Sequence, residues 1–383
     1  MKKIAALLLP LALMISTVSC AEKSTNSETV IQTEAETAST TTSEDITQTE
    51  PTTENDTKPT VEYYDGLICS DNMTDKEKER SSFREFTLIY PEKAFNIGGY
   101  RSTYNIPRGT ASKEFKNIKE IENSFRELRL YDEELDINFL VHIILPPNYD
   151  EDREYPVFLI TDAQYWLINV PDMWQLISKG EASPVIFVTL GHDYDSNGEN
   201  DPERFKEFAV NQKKLLDFIT DNLMSVISLN FKTDNGRSVF FGHSLGGLFA
   251  DYALCNSDKY EYQPFANYII ASPAVWTYHY DINVYDIENI SDPHAYEREF
   301  DFFERNESMD KKVFICAGEK EIYKFNAPDL ATIPEESKSL YERLNARGVN
   351  TELKIYEDGY HTNYVEDMLK DYLKQNFPPN DIT

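Results

Sequence analysis

Cysteine, histidine and basic side chains are scarce in this 383-residue chain, and each shortage closes off a class of protein. Of the four cysteines, Cys20 lies at a candidate processing site, and Cys69, Cys255 and Cys316 are an odd count without metal-ligand spacing. Cys255 and Cys316 stand within apolar segments and are expected to pack in a core. The six histidines are scattered with no His-x-x-x-His pair, so no metal site and no cofactor is expected. Lys and Arg number 37 against 67 Asp and Glu, a formal charge of −30. Residues 1–60 hold four basic and nine acidic side chains, which leaves −25 on residues 61–383. Nucleic acids and anionic lipid surfaces are poor partners for such a field. No internal repeat is visible.

What is present begins with a processing signal. Met1-Lys2-Lys3 precedes a 13-residue apolar stretch, 4–16, that is too short to span a membrane, and Thr17-Val18-Ser19-Cys20 follows. Residues 1–19 read as a signal peptide of lipoprotein type, with Cys20 the lipidation site, although Thr17 stands where such sites usually carry leucine. An ordinary secretory signal with an incidental cysteine is the alternative. Either form puts the protein outside the cytoplasm: at the extracellular face of the membrane, attached only through the Cys20 lipid, or secreted. Residues 21–60 contain 17 Ser or Thr and almost nothing large and apolar. Such a stretch cannot bury enough surface to offset its chain entropy, so 20–60 is expected to be a disordered linker. A flexible coil of 40 residues spans about 35 Å, a suitable tether.

Residues 61–124 are polar and turn-rich, with helix potential at 75–85 and a Gly98-Gly99 break, and form an N-terminal extension. From 125 to 383 short β-rich runs alternate with helical patterns, the mark of an α/β domain with a mostly parallel central sheet flanked by helices. Strands are predicted at 139–145, 157–161, 185–190, 238–242, 268–271, 313–317 and 353–356. Their near-continuous apolar character suits strands buried on both faces. Apolar residues recurring every three or four positions predict helices over 202–229, 334–344 and 363–377. The stretch 277–310 is a long excursion, read as a cap over the site or a plain surface insertion.

Gly242-His243-Ser244-Leu245-Gly246 lies between the apolar run 238–241 and the helix-compatible run 248–254. That is the nucleophile-elbow pattern in a strand-turn-helix setting. Its glycines let strand and helix approach closely around a serine held on a strained turn. Ser244 is therefore the candidate nucleophile, and the Leu245 N–H, at a helix start, a candidate oxyanion donor. A turning Gly-Ser cap on a buried helix is the bland alternative.

A serine hydroxyl needs a base, and the base needs an orienting acid. His361 follows the last strand in Glu357-Asp358-Gly359-Tyr360-His361 and is the best-placed base. His142 lies inside an early strand, His243 adjoins the nucleophile but points elsewhere, and His192, His279 and His294 fall in loops. For the acid, Glu321 ranks ahead of Glu319, both in the turn after strand 313–317, and Asp358 comes third; a Ser-His dyad is a further option. The second oxyanion donor is expected from the turn after strand 157–161, at Ala163 or Gln164.

Four segments carry a resemblance over roughly residues 125–377. They are Leu145-Pro146-Pro147-Asn148-Tyr149-Asp150 leading to Tyr155-Pro156-Val157 and Thr161-Asp162-Ala163-Gln164; the elbow; Ala271-Ser272-Pro273-Ala274-Val275-Trp276; and Gly318-x-x-Glu321 with Gly359-Tyr360-His361. Together they resemble the α/β-hydrolase esterase family that contains esterase D, the enterochelin and bacillibactin esterases, and the feruloyl and acetylxylan esterases. The resemblance implies the α/β-hydrolase fold, with Ser244 nucleophile, His361 base and Glu321 orienting acid. Ala163 departs from the Asp-Gly common at that turn in the family.

Tyr165, Trp166 and Trp276 follow strand ends on the catalytic side and are candidates to wall an aromatic or sugar-binding cleft. The domain charge disfavours polyanionic ferric catecholates, although screening beyond about 8 Å frees the local pocket to differ. The expectation is a serine esterase removing acyl groups such as acetyl or feruloyl from carbohydrate, its partner a small-molecule or polysaccharide ester. A siderophore esterase, an acyltransferase on the same scaffold and a non-catalytic surface binding protein stay open.

Overall fold

Along the strand Val157–Thr161, successive side chains part company: Val157 and Leu159 join one apolar cluster, Phe158 and Ile160 another. The period of two that sends neighbours to opposite faces thus builds two cores on one sheet. The structure is a computed structural model that describes residues 86–89, 121, 124–132, 134–192, 202–279, 298–322 and 331–379. The expected signal peptide, the linker, Cys20, Cys69, the helix at 75–85, the Gly98-Gly99 break and residues 280–297 of the excursion lie outside them.

The described strands are β1 (Phe86–Ile89), β2 (Phe125–Asp132), β3 (Ile137–Ile144), β4 (Val157–Thr161), β5 (Ile186–His192), β6 (Val239–His243), β7 (Asn267–Ala271), β8 (Lys312–Gly318) and β9 (Asn350–Tyr356). They form one sheet in the order β1-β2-β3-β5-β4-β6-β7-β8-β9. From β5 to β9 every pairing is parallel; β1, β2 and β3 join antiparallel. This is the α/β-hydrolase order, with the expected mostly parallel sheet. Each of the seven predicted strands is present.

Two strands were not legible in the sequence. β2 carries Arg126, Glu127 and Arg129 among its apolar residues, which breaks the alternation, yet it pairs with β3 over eight residues. β1 falls in the stretch read as an extension and adds an edge to the sheet through Phe86 to Ile89. Long-range pairing set both, where local composition argued against a strand.

One face of the sheet is covered by α2 (Val170–Ser178) and α9 (Val365–Asn376), which bury Met173, Ile177, Met368 and Leu369. The other takes the segments α3 (Pro202–Phe205), α4 (Gln212–Asp217) and α5 (Met224–Asn230), then α6 (Leu245–Asn256) and α8 (Ile333–Ala346). The predicted helix 202–229 is not continuous: Lys206–Val210 and Phe218–Leu223 are wound as π-turns, which absorb irregular apolar spacing. Thr332 and Glu335 form a capping box that starts α8. Of the excursion, α7 (Glu299–Arg305) is described, and Arg305 ties it to Asp258 and to the Cys255 carbonyl. Cys255 and Cys316 are buried free thiols in the core. Among the described residues no helix is long and apolar enough to cross a membrane.

Candidate functional site

The parallel strands all present their carboxyl ends at one edge, and that edge is where the backbone is least relaxed. Asp162, Ser244, Ser272 and Asp358, which follow β4, β6, β7 and β9, have φ of 57°, 60°, 41° and 54°. Non-glycine residues avoid this region, so four strand ends turn sharply under strain. The sequence pattern marked only Ser244 as such a position.

Ser244 caps α6 with φ 60° and ψ −118°. Its N–H donates to the Ala271 carbonyl (3.0 Å), and its carbonyl accepts from Leu248 (2.9 Å) and Ala274 (3.0 Å), so the turn is fastened on both sides. Leu245 N–H is the first of the helix and has no preceding helical carbonyl to meet. Beside it starts α1 (Ala163–Trp166), whose first N–H groups belong to Ala163 and Gln164. A Cβ built on Gly246 would lie 2.8 Å from Thr161 Oγ1 and 3.0 Å from Asp162 Oδ2. The lack of a side chain at Gly246 thus lets the start of α6 approach the β4 turn that leads into α1.

His361 stands in the turn after β9, its side chain about a third exposed, and its Nδ1 meets Glu321 Oε2 at 2.5 Å. Glu321 is fully buried. Its Oε1 accepts from the Gly318 N–H (2.6 Å) and from Ser272 Oγ–H (2.6 Å). Glu319 and Asp358 are elsewhere: Glu319 Oε2 accepts from the Asp358 N–H (3.1 Å), and Lys320 pairs with both carboxylates at the surface. That backbone hydrogen bond, with Lys320, holds the Glu319 carboxyl below its ordinary range. The two turns are also stitched by their backbones, through Glu319 N–H to the Tyr356 carbonyl (2.9 Å) and Lys320 N–H to the Gly359 carbonyl (2.8 Å). Among the described residues Ser244 Oγ makes no hydrogen bond to His361, a contact that commonly tightens only with substrate bound.

His243 points away from the elbow, as its place in the motif predicts, and supports the base from there. Its Nε2–H donates to the His361 carbonyl at 2.6 Å, and the two rings lie 4.6 Å apart. Burial, and the neighbouring His361, drive its pKa well below the ordinary value, so it is a neutral donor with the proton on Nε2. His142 is buried in β3 against Thr189, and His192 pairs with the buried Glu207; His294 lies outside the described residues.

The three expected wall aromatics differ in burial. Trp166 is only 8 % exposed and packs edge-on to His243, with ring centroids 4.8 Å apart, and against Phe241. The short helix α1 turns the indole inward, where it backs the histidine. Tyr165 is half-buried beneath the Arg204 guanidinium (5.4 Å), and Trp276 is half-buried against the core. Arg204 in turn grips Asp162 through Nε (2.6 Å) and a terminal nitrogen (2.8 Å), and Gln164 Nε2 adds a third bond to the same carboxylate (2.9 Å). This clamp fixes the β4 turn, and no local signal in the sequence pointed to it, because its partners lie 42 residues apart. Among the described residues no group of His, Cys, Asp or Glu is arranged to hold a metal.

A strained serine at a helix start, with a histidine and a buried carboxylate on neighbouring strand ends, is the layout of a serine hydrolase on the α/β-hydrolase fold. The sequence profile of the family described as Putative esterase matches residues 133–374, and the chain belongs to that family. It is a serine esterase. Solved structures agree on the fold. A BES protein from Bacillus cereus is 22% identical, with TM-score 0.51, covering 66% of this chain and 96% of that one. An IroE-like serine hydrolase from Shewanella oneidensis is 20% identical, with TM-score 0.51, covering 66% and 80%. The siderophore hydrolase EstB from Aspergillus nidulans is 17% identical, with TM-score 0.51, covering 68% and 96%. The chain matches no curated protein.

Proposed function

We propose that the chain hydrolyses carboxylic esters through Ser244, His361 and Glu321, and that it acts outside the cytoplasm on acyl esters of carbohydrate. The observation that carries the mechanism is the Glu321–His361 hydrogen bond of 2.5 Å, formed at the strand edge that also presents Ser244. In this reading His361 takes the Ser244 proton as Oγ attacks the ester carbonyl. The oxyanion is met by the N–H groups of Leu245 and of Ala163 or Gln164, and the alcohol leaves with the proton from His361. Water, activated by His361, then releases the acid from the acyl-enzyme. Glu321, accepting from Nδ1, keeps the imidazole proton on that nitrogen and leaves Nε2 as the basic one.

The substrate class rests on charge and on the leader sequence. A charge of −25 on residues 61–383 disfavours polyanionic iron complexes, and a Cys20-anchored domain on a 40-residue tether suits extracellular polymer. Tyr165 and Trp276 are the half-buried aromatics near the strand ends that remain candidates for sugar contact. Hydrolysis of a siderophore ester is the second reading, favoured by the shared fold with a siderophore hydrolase.

The test is hydrolysis of p-nitrophenyl acetate and butyrate, methyl ferulate, acetylated xylo-oligosaccharides and a tricatecholate trilactone by the full chain. Ser244→Ala and His361→Ala are run beside it. Loss of about 10⁴-fold or more in both variants is expected, with the oligosaccharide turned over faster than the trilactone. Variants equal to wild type would remove the mechanism; the reverse substrate order would favour the siderophore reading. Turnover that depends on an added sugar or lipid acceptor would point to acyl transfer.

A further inference from the structure

Two buried hydroxyls stand behind Glu321 that hydrolysis by a triad does not require. Ser272, at the end of β7, is fully buried, and its Oγ–H donates to Glu321 Oε1 at 2.6 Å. Its only proton is thereby committed, so the Tyr364 hydroxyl, 2.5 Å from the same Oγ, must be the donor in that contact. Tyr364 caps the start of α9, is 4 % exposed, and stacks on Tyr356 with ring centroids 4.8 Å apart. Burial raises its pKa well above the ordinary value, so it carries its proton at any working pH.

We propose that Ser272 and Tyr364 are positioning residues: a Tyr364–Ser272–Glu321 hydrogen-bond relay that fixes the carboxylate and moderates the charge it presents to His361. The inference rests on the reading of Glu321 as the triad acid. The position of Ser272 speaks for a purpose. With φ of 41° its backbone suits glycine, and its N–H is already held by the Cys316 carbonyl at 2.7 Å. A residue there for the turn alone has no need of a hydroxyl, whereas this one is aimed at a fully buried carboxylate.

Glu321 takes three donors: the Gly318 N–H and Ser272 on Oε1, and His361 on Oε2. Each donor on Oε1 draws electron density away from Oε2. Without Ser272 the carboxylate is less compensated and holds the imidazolium more tightly. The base then stays protonated to higher pH, and proton return to the leaving group is slower. Tyr364 acts on the carboxylate chiefly through Ser272, by polarising its hydroxyl and fixing its rotamer, and its own hydroxyl also meets the buried Cys316 thiol.

The experiment is the pH profile of kcat/KM for p-nitrophenyl butyrate, measured on the full chain as wild type, Ser272→Ala, Ser272→Gly, Tyr364→Phe and the Ser272→Gly/Tyr364→Phe double variant, with Ser244→Ala as control. Removal of the Ser272 hydroxyl is expected to move the acid limb to higher pH by roughly half a unit or more and to lower kcat about 10-fold, with KM little changed. Tyr364→Phe should give a smaller shift in the same direction, and the double variant should stay close to Ser272→Gly, because Ser272 is the hydrogen-bonded link between the tyrosine and the acid. Ser272→Gly suits the left-handed backbone, so it folds where Ser272→Ala fails, and a merely structural serine would leave its profile unmoved. An unmoved limb in Ser272→Gly and Tyr364→Phe, or shifts that simply add in the double variant, overturns the relay while an inactive Ser244→Ala leaves the triad standing. Full activity in Ser244→Ala overturns both.

Discussion

Gly318→Ala tests whether the acid and base turns must touch. A Cβ built on Gly318 would lie 2.5 Å from the Gly359 carbonyl oxygen, 2.6 Å from its carbon and 3.0 Å from Glu321 Oε1. Ordinary contact begins near 3.4 Å, so the Gly359 backbone must withdraw by about 0.9 Å. The opposing atoms are main chain, tied to Lys320 at 2.8 Å, and cannot swing aside as a side chain would. His361 lies two residues beyond Gly359, so the same movement stretches its 2.5 Å bond to Glu321 to roughly 3.4 Å, past useful hydrogen bonding. Misplacement of about 1 Å costs on the order of 10²-fold, or about 2.7 kcal/mol of transition-state stabilisation. The expectation is therefore a kcat/KM for p-nitrophenyl butyrate near one hundredth of wild type with KM little changed, and a stability loss of about 1–3 kcal/mol by urea unfolding. Gly236→Ala, whose Cβ would meet only Asp234 Oδ1 at 3.4 Å, is the matched control and should change neither. A Gly318→Ala enzyme within threefold of wild type would refute the reasoning, since the contact would then be dispensable to the alignment of Glu321 and His361.

Asp251 is buried in α6, and desolvation raises its pKa to about 7, against the pull of Arg298. Between about pH 4 and 7 the folded chain keeps a proton that the unfolded chain has lost, so stability falls as pH rises, by at most about 4 kcal/mol. Asp251→Asn should abolish that decline in urea unfolding at pH 5 and pH 8; an unchanged difference between the two pH values would count against it. His243→Leu removes the Nε2–H bond to the His361 carbonyl and should lower kcat about 10-fold at nearly constant KM, since the base is less well held; wild-type kcat would show the contact to be idle. Arg204→Met leaves the buried Asp162 carboxylate without its guanidinium and should cost about 3–5 kcal/mol, most of it recovered in Arg204→Met/Asp162→Asn. Failure of the second change to rescue would mean that the Arg204 loss acts through something other than the stranded charge.

What the sequence made legible was set by local signals. The strands at β4, β6 and β8 are apolar runs buried on both faces, so composition alone located them. The elbow and Glu321 each follow such a strand within a few residues, whereas His361 follows β9, a partly exposed strand with no buried face, and is legible from the turn Glu357 to His361 that comes after it. β2 is charged along its length and depends on β3 for its conformation, so no window of sequence could show it. The supporting residues were hidden for the same reason. Ser272 meets Tyr364 across 92 positions, and His243 meets His361 across 118. The packing of Trp166 on His243 was hidden too, because position after a strand end does not say which way a short helix turns its side chains.

The four left-handed residues at the strand ends bear on how this enzyme can be engineered. Strain of about 1–3 kcal/mol per position is held at the edge that presents Ser244, Glu321 and His361. Relieving it by glycine or by repacking is the obvious route to a hardier protein, and it would be taken from the turns that aim the reacting groups. The opposite margin of the sheet, where β1 and β2 run antiparallel, carries none of the three. Hardening belongs there, in the part of the molecule that chemistry leaves alone.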